Sequence, residues 1–447
     1  MSQYLVLWRV QTITYHIFHN QVDSLFDFIM RQHISACLCI GLLEASICHA
    51  RLFEVAKDNL IHLSSSQIPL GPLVKLGGPS VSPTDYDDYG WTNGNNNSDE
   101  YHAYHFKELA GGRGISVVTS PDRIRHFEAA TVPSDANDMS SPPYEERHIP
   151  GKGRGLVATR MLYKGDKILL NTPILMVDSS GYDSLGGPWT SLPRLAVENL
   201  PPETEKLFFS MHGASDTDDV RGRIDVNAYD VRIGGHQYFA VLPEIARINH
   251  DCRPNTNYYF DENTLTQMVV ASRDIAPGTE LSVTYINPVQ EREHRNDNLL
   301  ATWGFNCSCS VCRLPPHLSR RSDERVEDIA RLQAEYELVD EGEWMGYPPQ
   351  KAEALISLLE EEGIRTNIGN AYLYAAFTHC AHGNYWETVR HANTALDWIS
   401  LSDGADDARL DSLREMTRTP DEEACWKSRT ESRQGGGGGD GENVLEP

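Results

Sequence analysis

The sequence is short of basic residues. It has 39 Lys and Arg against 64 Asp and Glu, which gives a formal net charge of −25. Proteins that bind a nucleic-acid backbone need clustered Lys and Arg, so direct nucleic-acid binding is not expected. An acidic surface attracts cationic segments, and the charge therefore suits a basic protein partner. The same acidity also serves solubility, and composition alone leaves both explanations open.

Long hydrophobic runs are missing as well. No apolar stretch reaches the roughly 18 residues needed to span a membrane, so no membrane partner is expected. Residues 30–50 have the outline of a secretory signal peptide, with Arg31 ahead of an apolar core. Glu44 interrupts that core and 29 residues precede the stretch, which favours an amphipathic helix. We expect a cytoplasmic or nuclear protein and leave the secretory route open.

Three common catalytic signatures are absent. The chain has no Gly-x-Ser-x-Gly nucleophile elbow, no His-Glu-x-x-His metalloprotease helix and no Gly-x-x-x-x-Gly-Lys-Ser/Thr phosphate loop. The chemistry must therefore be sought elsewhere in the sequence.

Cysteine is sparse and unevenly placed. Of nine cysteines, four gather in one region: Cys252, Cys307, Cys309 and Cys312. The odd count and the Cys-x-Cys-x-x-Cys spacing predict metal thiolates in a reducing compartment rather than disulfide bridges. A structural zinc ion requires four tetrahedral ligands, and Cys252 is the candidate for the fourth. Thiols without a metal are the alternative.

The patterns along the chain predict a mixed α+β protein with several segments. Short strands and turns fill the middle of the chain, with three- and four-residue hydrophobic spacing in an insertion and again in the C-terminal part. The predicted segments are an irregular one at 1–62, a linker or sheet edge at 63–143, a strand domain at 144–287 with a helical insertion at about 188–221, a cysteine-bearing segment at 288–316, a helical domain at 322–415 and a disordered tail at 416–447.

Three motifs follow one another between residues 249 and 312. They are Asn-His-x-Cys-x-Pro-Asn at 249–255, Glu-Leu-x-x-x-Tyr at 280–285 and Cys-x-Cys-x-x-Cys at 307–312. Each is weak alone, but together, in this order and at this spacing, they form a specific signal. They resemble the C-terminal half of a SET domain with its cysteine-rich post-SET segment. That is the fold of protein-lysine methyltransferases that use S-adenosylmethionine.

The resemblance covers about residues 145–315. It implies a SET domain of short strands with a pseudoknot and a helical insertion, then a post-SET zinc segment and a helical C-terminal domain. This layout is similar to the SET-and-MYND branch and its fungal relatives. No MYND zinc finger lies between residues 179 and 237. Partner recruitment by that finger is therefore not carried over.

The resemblance also implies a cofactor site. The glycine turn at 151–155 lets backbone groups approach a ligand closely and matches the Gly-x-Gly motif of the family. The positions implied to contact S-adenosylmethionine are Lys152, Gly153, Arg154, Asn249, His250, Tyr285 and Phe305, with the Phe305 ring stacking on adenine. A plain hairpin turn, a structural His250 and a core Phe305 are the alternatives. The family also closes this site with zinc, which supports four ligands at Cys252, Cys307, Cys309 and Cys312.

Tyr285 matches the catalytic tyrosine of the family, whose hydroxyl orients the attacking amine and the methyl group. Tyr258, Tyr259 and Phe260 are candidates for an aromatic lysine channel, or for ordinary strand packing. Glu280 is expected to stabilise the fold rather than react. The leading hypothesis is a protein-lysine N-methyltransferase that acts on an accessible lysine, with a basic histone tail as one candidate. The other is a catalytically silent SET scaffold that binds partners through its helical region.

Overall fold

The computed structural model of the chain describes residues 87–91, 101–182, 191–214, 218–339 and 341–430. The signal-like stretch at 30–50, the rest of 1–62 and residues 431–447 of the predicted tail lie outside this range. Among the described residues, no helix combines the length and the apolar character that a membrane crossing requires.

The strands are short and form four sheets within the described residues. In chain order they are β1 Asp87–Trp91, β2 Tyr101–Phe106, β3 Ile115–Thr119, β4 Tyr144–Ile149, β5 Gly153–Ala158, β6 Lys167–Asn171, β7 Leu175–Asp178, β8 Ala228–Ile233, β9 His236–Val241, β10 Asn249–His250, β11 Thr256–Asp261, β12 Thr266–Ala271 and β13 Ser282–Val283.

The largest sheet has the order β1-β2-β3-β7-β9-β8, and only the β3–β7 pair is parallel. For residues 101–119 this sheet corrects the prediction of a linker or sheet edge, whereas residues 63–86 and 92–100 of that segment lie outside the described residues. Strand β3 lies inside the sheet, and Val117 and Val118 on its two faces are fully buried. The β-branched run at 115–119 is therefore a central strand, because apolar layers cover both of its faces.

The helices fall into an insertion and a C-terminal group. Two single turns, α1 Arg125–Glu128 and α2 Ser179–Tyr182, come first. The insertion between β7 and β8 holds α3 Leu192–Glu198, α4 Pro202–Phe209 and α5 Arg221–Asn227. The C-terminal part holds α6 Arg292–Trp303, α7 Pro316–Glu337, α8 Glu341–Trp344, α9 Pro349–Glu362, α10 Ile368–Ala381, α11 Tyr385–Ser402 and α12 Arg409–Arg418.

The first two motifs and strand β5 meet where residues 280–283 run between two other segments. On one side, Leu281 N–H donates to Leu156 O at 2.8 Å; on the other, β13 pairs in parallel with β10. The side chain of Asn255 closes the crossing, because its Nδ2 donates to Glu280 O and its Oδ1 accepts from Ser282 N, each at 2.8 Å. Three stretches that are distant in sequence are thereby fixed side by side.

The C-terminal helices have their own apolar core, and two sequence predictions are wrong there. A disulfide joins Cys380 of α10 to Cys425, although the sequence predicted no bridges. Residues 416–430 are not a loose tail, because Cys425 is buried in the helical core and Lys427 N donates to Cys380 O at 3.0 Å. The Cys380–Cys425 pair spans 45 residues, so only the helical packing brings the two thiols together.

Candidate active site and cysteine centre

Glu280 holds two of the predicted cofactor residues. Its Oε2 accepts from Lys152 Nζ at 2.8 Å and its Oε1 accepts from Asn249 Nδ2 at 3.0 Å. Asn249 Nδ2 also lies 3.2 Å from Arg154 O. The glycine turn and the Asn-His motif are thus joined through one carboxylate, which is the structural role predicted for Glu280.

The glycine turn is tightly packed against Asn249. Gly153 has a φ of +79°, a conformation that favours glycine. A Cβ at Gly155 would lie 2.6 Å from Asn249 Nδ2 and 2.9 Å from an Ile149 side-chain carbon, so only glycine allows this approach. The exposed Arg154 side chain donates to Ser210 O at 2.9 Å, which ties the turn to the end of α4.

His250 connects the tyrosine motif to the cysteines. It is 3% exposed, and its Nδ1 accepts from Tyr285 N–H at 3.1 Å. The proton therefore resides on Nε2, which lies 3.4 Å from Cys252 Sγ and donates toward it. Burial lowers the pKa of His250 to about 4, so the ring is neutral at pH 7. The side chain has a structural role, and only the main chain of His250 remains for a ligand.

Tyr285 is fixed at both ends. Its hydroxyl donates to Ile248 O at 2.8 Å, and its ring lies between His250 and Trp303, with centroid distances of 5.4 and 5.2 Å. Burial raises the pKa of Tyr285 well above its usual value, with a smaller contribution from Glu280. The residue is therefore a neutral hydroxyl held in one place, which suits it for orienting a reacting group rather than for accepting a proton.

The predicted aromatic channel is only partly assembled. The Tyr258 ring packs edge-on against the Tyr229 ring, with 5.2 Å between the ring centroids. Both are partly buried against the apolar core, as are Phe260 and Tyr285. Tyr259 points the other way, because successive residues of a strand face opposite sides of the sheet. The Tyr259 ring packs against Gly404 in the C-terminal part, so closely that a Cβ added to Gly404 would lie 3.0 Å from it. Tyr259 therefore does not line the channel.

Tyr229 and Trp303 are site residues that sequence reasoning missed. The Tyr229 hydroxyl donates to Ile245 O at 3.3 Å, and its pKa is raised by burial and then by neighbouring Tyr258 and Tyr285. Trp303 Nε1 donates to Val226 O at 3.0 Å, which holds its ring against Tyr285. Both sit in runs with ordinary strand or helix periodicity, so no local signal distinguishes them.

The Phe305 ring lies near the His250 ring, with 6.2 Å between the two ring centroids. It is half-buried and follows Gly304, which ends α6 with a φ of +74°. The turn brings the ring back toward the motif residues, and part of its face stays accessible to a ligand.

The four clustered cysteines come together as the sequence predicted. Cys252 Sγ lies 3.8 Å from Cys307 Sγ and 3.6 Å from Cys312 Sγ, and all four sulfur atoms lie within 4.8 Å of one another. A tetrahedral zinc ion with Zn–S bonds of about 2.3 Å separates its sulfur ligands by about 3.8 Å. The donor set and its spacing thus fit one zinc ion.

Without a metal, the surroundings of the cysteines favour thiolates at two of the four positions. Hydrogen bonding, first from Cys252, lowers the pKa of Cys309 far below its usual value and that of Cys312 to about 7, whereas the same contacts leave the pKa of Cys252 and of Cys307 raised. Arg295 Nη2 lies 3.9 Å from Cys312 Sγ, and Arg295 is 1% exposed. A buried guanidinium next to the sulfur atoms offsets part of the negative charge that four thiolates would carry.

The helical region anchors the cysteine centre through a buried ion pair. Arg253 Nη2 donates to Glu362 Oε2 at 2.8 Å, and the side chains are 8% and 2% exposed. Arg253 Nη1 also donates to Cys252 O at 2.8 Å. Ser322 Oγ and Arg325 Nε donate to the same carboxylate at 2.7 and 2.6 Å. The residue that follows Cys252 is thereby fastened to α7 and α9.

Comparison with known proteins identifies the central part of the chain. A family model described as the SET domain matches residues 153–286, which contain the glycine turn from Gly153 onward and the first two motifs. The histone-lysine N-methyltransferase set5 of Schizosaccharomyces pombe is 26% identical over 291 residues, which cover 64% of this chain and 86% of that protein.

Other relatives match shorter stretches. The histone-lysine N-methyltransferase SET5 of Yarrowia lipolytica is 41% identical over 87 residues, or 20% of this chain and 18% of that protein. The human N-lysine methyltransferase SMYD2 is 32% identical over 111 residues, or 24% of this chain and 25% of that protein. The similarity thus extends along most of the fission-yeast protein but only a quarter or less of these two.

Proposed function

We propose that this chain, whose residues 153–286 match the SET domain, is a protein-lysine methyltransferase. It would transfer a methyl group from S-adenosylmethionine to a lysine side chain of a protein, with histones as the first candidates. The observation that carries the proposal is the placement of Tyr285. Its neutral hydroxyl is fixed beside the paired motif strands, next to the aromatic residues Tyr229 and Tyr258.

The residues around the glycine turn fit the cofactor. S-adenosylmethionine, when bound, supplies an electrophilic methyl group on a sulfonium. Lys152 is paired with Glu280 and Arg154 with the exposed Glu146, and the half-exposed Arg154 side chain could exchange that partner for the cofactor carboxylate. Gly153 exposes backbone beside them. Asn249 and the main chain of His250 lie against the same turn. The half-buried Phe305 offers a ring face for an adenine.

The aromatic residues suit the substrate amine. A free lysine has a pKa of about 10.4, so the site must accept the charged form and then hold the neutral amine in line. Tyr229 and Tyr258 offer ring faces for the aliphatic stem and for the cation before its proton leaves. The Tyr285 hydroxyl, held by Ile248 O, retains lone pairs that can orient the neutral amine. In the transfer, the amine nitrogen forms a bond to the methyl carbon as the carbon–sulfur bond breaks.

We also propose that Cys252, Cys307, Cys309 and Cys312 hold one structural zinc ion. Four thiolates fill the tetrahedral coordination of zinc, so the ion would hold the segment after α6 against the motif strands and would not take part in the reaction. The protein is proposed to act in the nucleus or the cytoplasm, where the family relatives named for histones would meet their substrates.

The first experiment measures binding of S-adenosylmethionine to the full chain by calorimetry, with zinc counted on the same sample, followed by transfer of labelled methyl groups to core histones. Tyr285→Phe should lower transfer by roughly 100-fold, because it loses a positioning group, and should leave cofactor affinity nearly unchanged. Tyr259→Phe is the matched control, because that ring faces away from the channel, and it should keep full activity.

The outcomes separate the two hypotheses. Full transfer by Tyr285→Phe would remove this tyrosine from the reaction. Cofactor binding by the wild-type protein without transfer to histones or to other basic proteins would favour the silent scaffold. Absence of cofactor binding by folded, zinc-loaded protein would refute the methyltransferase proposal.

A further inference from the structure

The helical region carries a second set of metal-ligating side chains. Glu353 lies on α9, His379 on α10, and Glu387 and His391 on α11. Each offers one ligand atom, and the four atoms lie within 4.8 Å of one another. We propose that these residues, the His2Glu2 cluster, bind one divalent transition-metal ion, zinc in the first place, separately from the four cysteines.

The distances within the His2Glu2 cluster are close to those of a metal site. His379 Nε2 lies 3.1 Å from Glu353 Oε1, and His391 Nε2 lies 3.9 Å from Glu353 Oε1 and 3.8 Å from Glu387 Oε2. A tetrahedral zinc ion with bonds of about 2.0–2.2 Å separates its ligand atoms by about 3.3–3.6 Å. These three distances are each within about half an ångström of that range, and the remaining pairs lie within 4.8 Å, so no separation must shorten by more than about 1.2 Å.

The fold holds both histidines in place. Their side chains are 5% and 3% exposed, and the rings of His379 and His391 stack at 5.2 Å with an angle of 9°. Asn384 Nδ2 donates to His379 Nδ1 at 3.0 Å, so the proton of the neutral ring lies on Nε2 and is directed at Glu353. Metal binding at Nε2 requires the other tautomer, in which Nδ1–H donates to the Asn384 side chain after its amide has rotated to present Oδ1. On α11, Glu387 and His391 are four residues apart and therefore share one face of the helix.

His391 already presents a lone pair to a cation. The guanidinium of Arg390 donates to its Nε2 at 2.9 Å, which places the proton on Nδ1, an atom with no hydrogen-bond partner among the described residues. The same guanidinium pairs with Glu387 through Nε at 2.7 Å. The Arg390 side chain is 59% exposed and can turn into solvent. A metal ion would take the place of this guanidinium.

The carboxylate side of the His2Glu2 cluster is open to solvent. Glu353 and Glu387 are 38% and 45% exposed, so an ion reaches the cluster from solvent. Once bound, it would join α9, α10 and α11.

The test counts zinc in the full chain after dialysis against metal-free buffer. Glu353→Gln and Glu387→Gln remove partly exposed ligands and should leave the fold intact, which circular dichroism checks. Each should lower the zinc content by one equivalent, or weaken one site at least tenfold in competition with a chromophoric chelator. Glu361→Gln is the control, because Glu361 lies on α9 but outside the His2Glu2 cluster. Arg390→Gln should tighten the site, because it removes the competing guanidinium.

Replacing zinc by cobalt shows which of the two sites has lost its ion. Cobalt bound to the cysteines gives thiolate-to-metal charge-transfer absorption, whereas a nitrogen and oxygen site does not. The proposal expects this absorption to be unchanged in Glu353→Gln and Glu387→Gln. Equal zinc content in these variants and in Glu361→Gln would overturn it, and so would a loss of the thiolate absorption together with the ion.

Discussion

The buried carboxylate of Glu362 should be one of the most sensitive positions for stability. It is 2% exposed and accepts hydrogen bonds from Arg253, Ser322 and Arg325 at 2.8, 2.7 and 2.6 Å. Glu362→Gln keeps the volume but removes the charge, and the buried Arg253 then lacks its counter-ion. Removing one partner of a buried pair typically costs about 3–5 kcal/mol, so we expect a loss in this range.

The measurement is urea unfolding, followed by the fluorescence of tryptophans such as Trp344, which is buried in the helical core. Glu361→Gln is a matched control on the adjacent position. Its carboxylate is 60% exposed and pairs with Arg325 at 3.2 Å, and exposed pairs contribute only about 0–1 kcal/mol. The free energy of unfolding should therefore fall much further in Glu362→Gln than in the control. Equal losses in the two variants would refute the reasoning, since they would show that burial of the pair does not matter.

Three further predictions concern Glu362, the glycine turn and the cysteine centre. Burial pulls the pKa of Glu362 upward, but bonds from Arg253 and its neighbours outweigh this, so the pKa lies below its ordinary value. The stability that the Glu362 carboxylate contributes should be complete above the unfolded-state pKa of about 4.3 and should fall as the pH is lowered below it. Urea unfolding midpoints measured over this pH range should therefore fall less steeply in Glu362→Gln than in the wild-type protein. Gly155→Ala should weaken S-adenosylmethionine binding, measured by calorimetry, because a Cβ there meets Asn249 at 2.6 Å; unchanged affinity would contradict the packing. Cys309→Ser should lower the zinc content by one equivalent and reduce the thermal midpoint, and retention of the metal would contradict the four-thiolate site.

The candidate site could be predicted where its parts are encoded locally. The glycine turn, the two residues of β10 and the Cys-x-Cys-x-x-Cys segment each extend over a few positions, so their order and spacing along the chain point to them together. The C-terminal part is similar: Gly383, with a φ of +74°, follows the end of α10 and α11 begins at Tyr385, and both helices lie in the helical domain predicted at 322–415.

Other features depend on contacts that sequence spacing does not encode. Helix α5 occupies Arg221–Asn227, beyond the end of the helical insertion predicted at about 188–221, and the short apolar pattern of Ile224 and Val226 there fits either a helix or a strand. The ion pair between Arg253 and Glu362 joins positions 109 residues apart, and neither has a distinctive neighbourhood in the sequence. Such pairs become visible only after the helices have packed.

The contacts around Cys252 explain why the helical region matters for the proposed reaction. On one side, His250 bridges Cys252 Sγ to the backbone of Tyr285. On the other, Arg253 holds Cys252 O and is itself held by Glu362. A disturbance at Glu362 therefore reaches Tyr285 through a continuous series of hydrogen bonds. Because a displacement of about 1 Å in a positioning group costs roughly 100-fold in rate, the helices stabilise the geometry of the site as well as the fold.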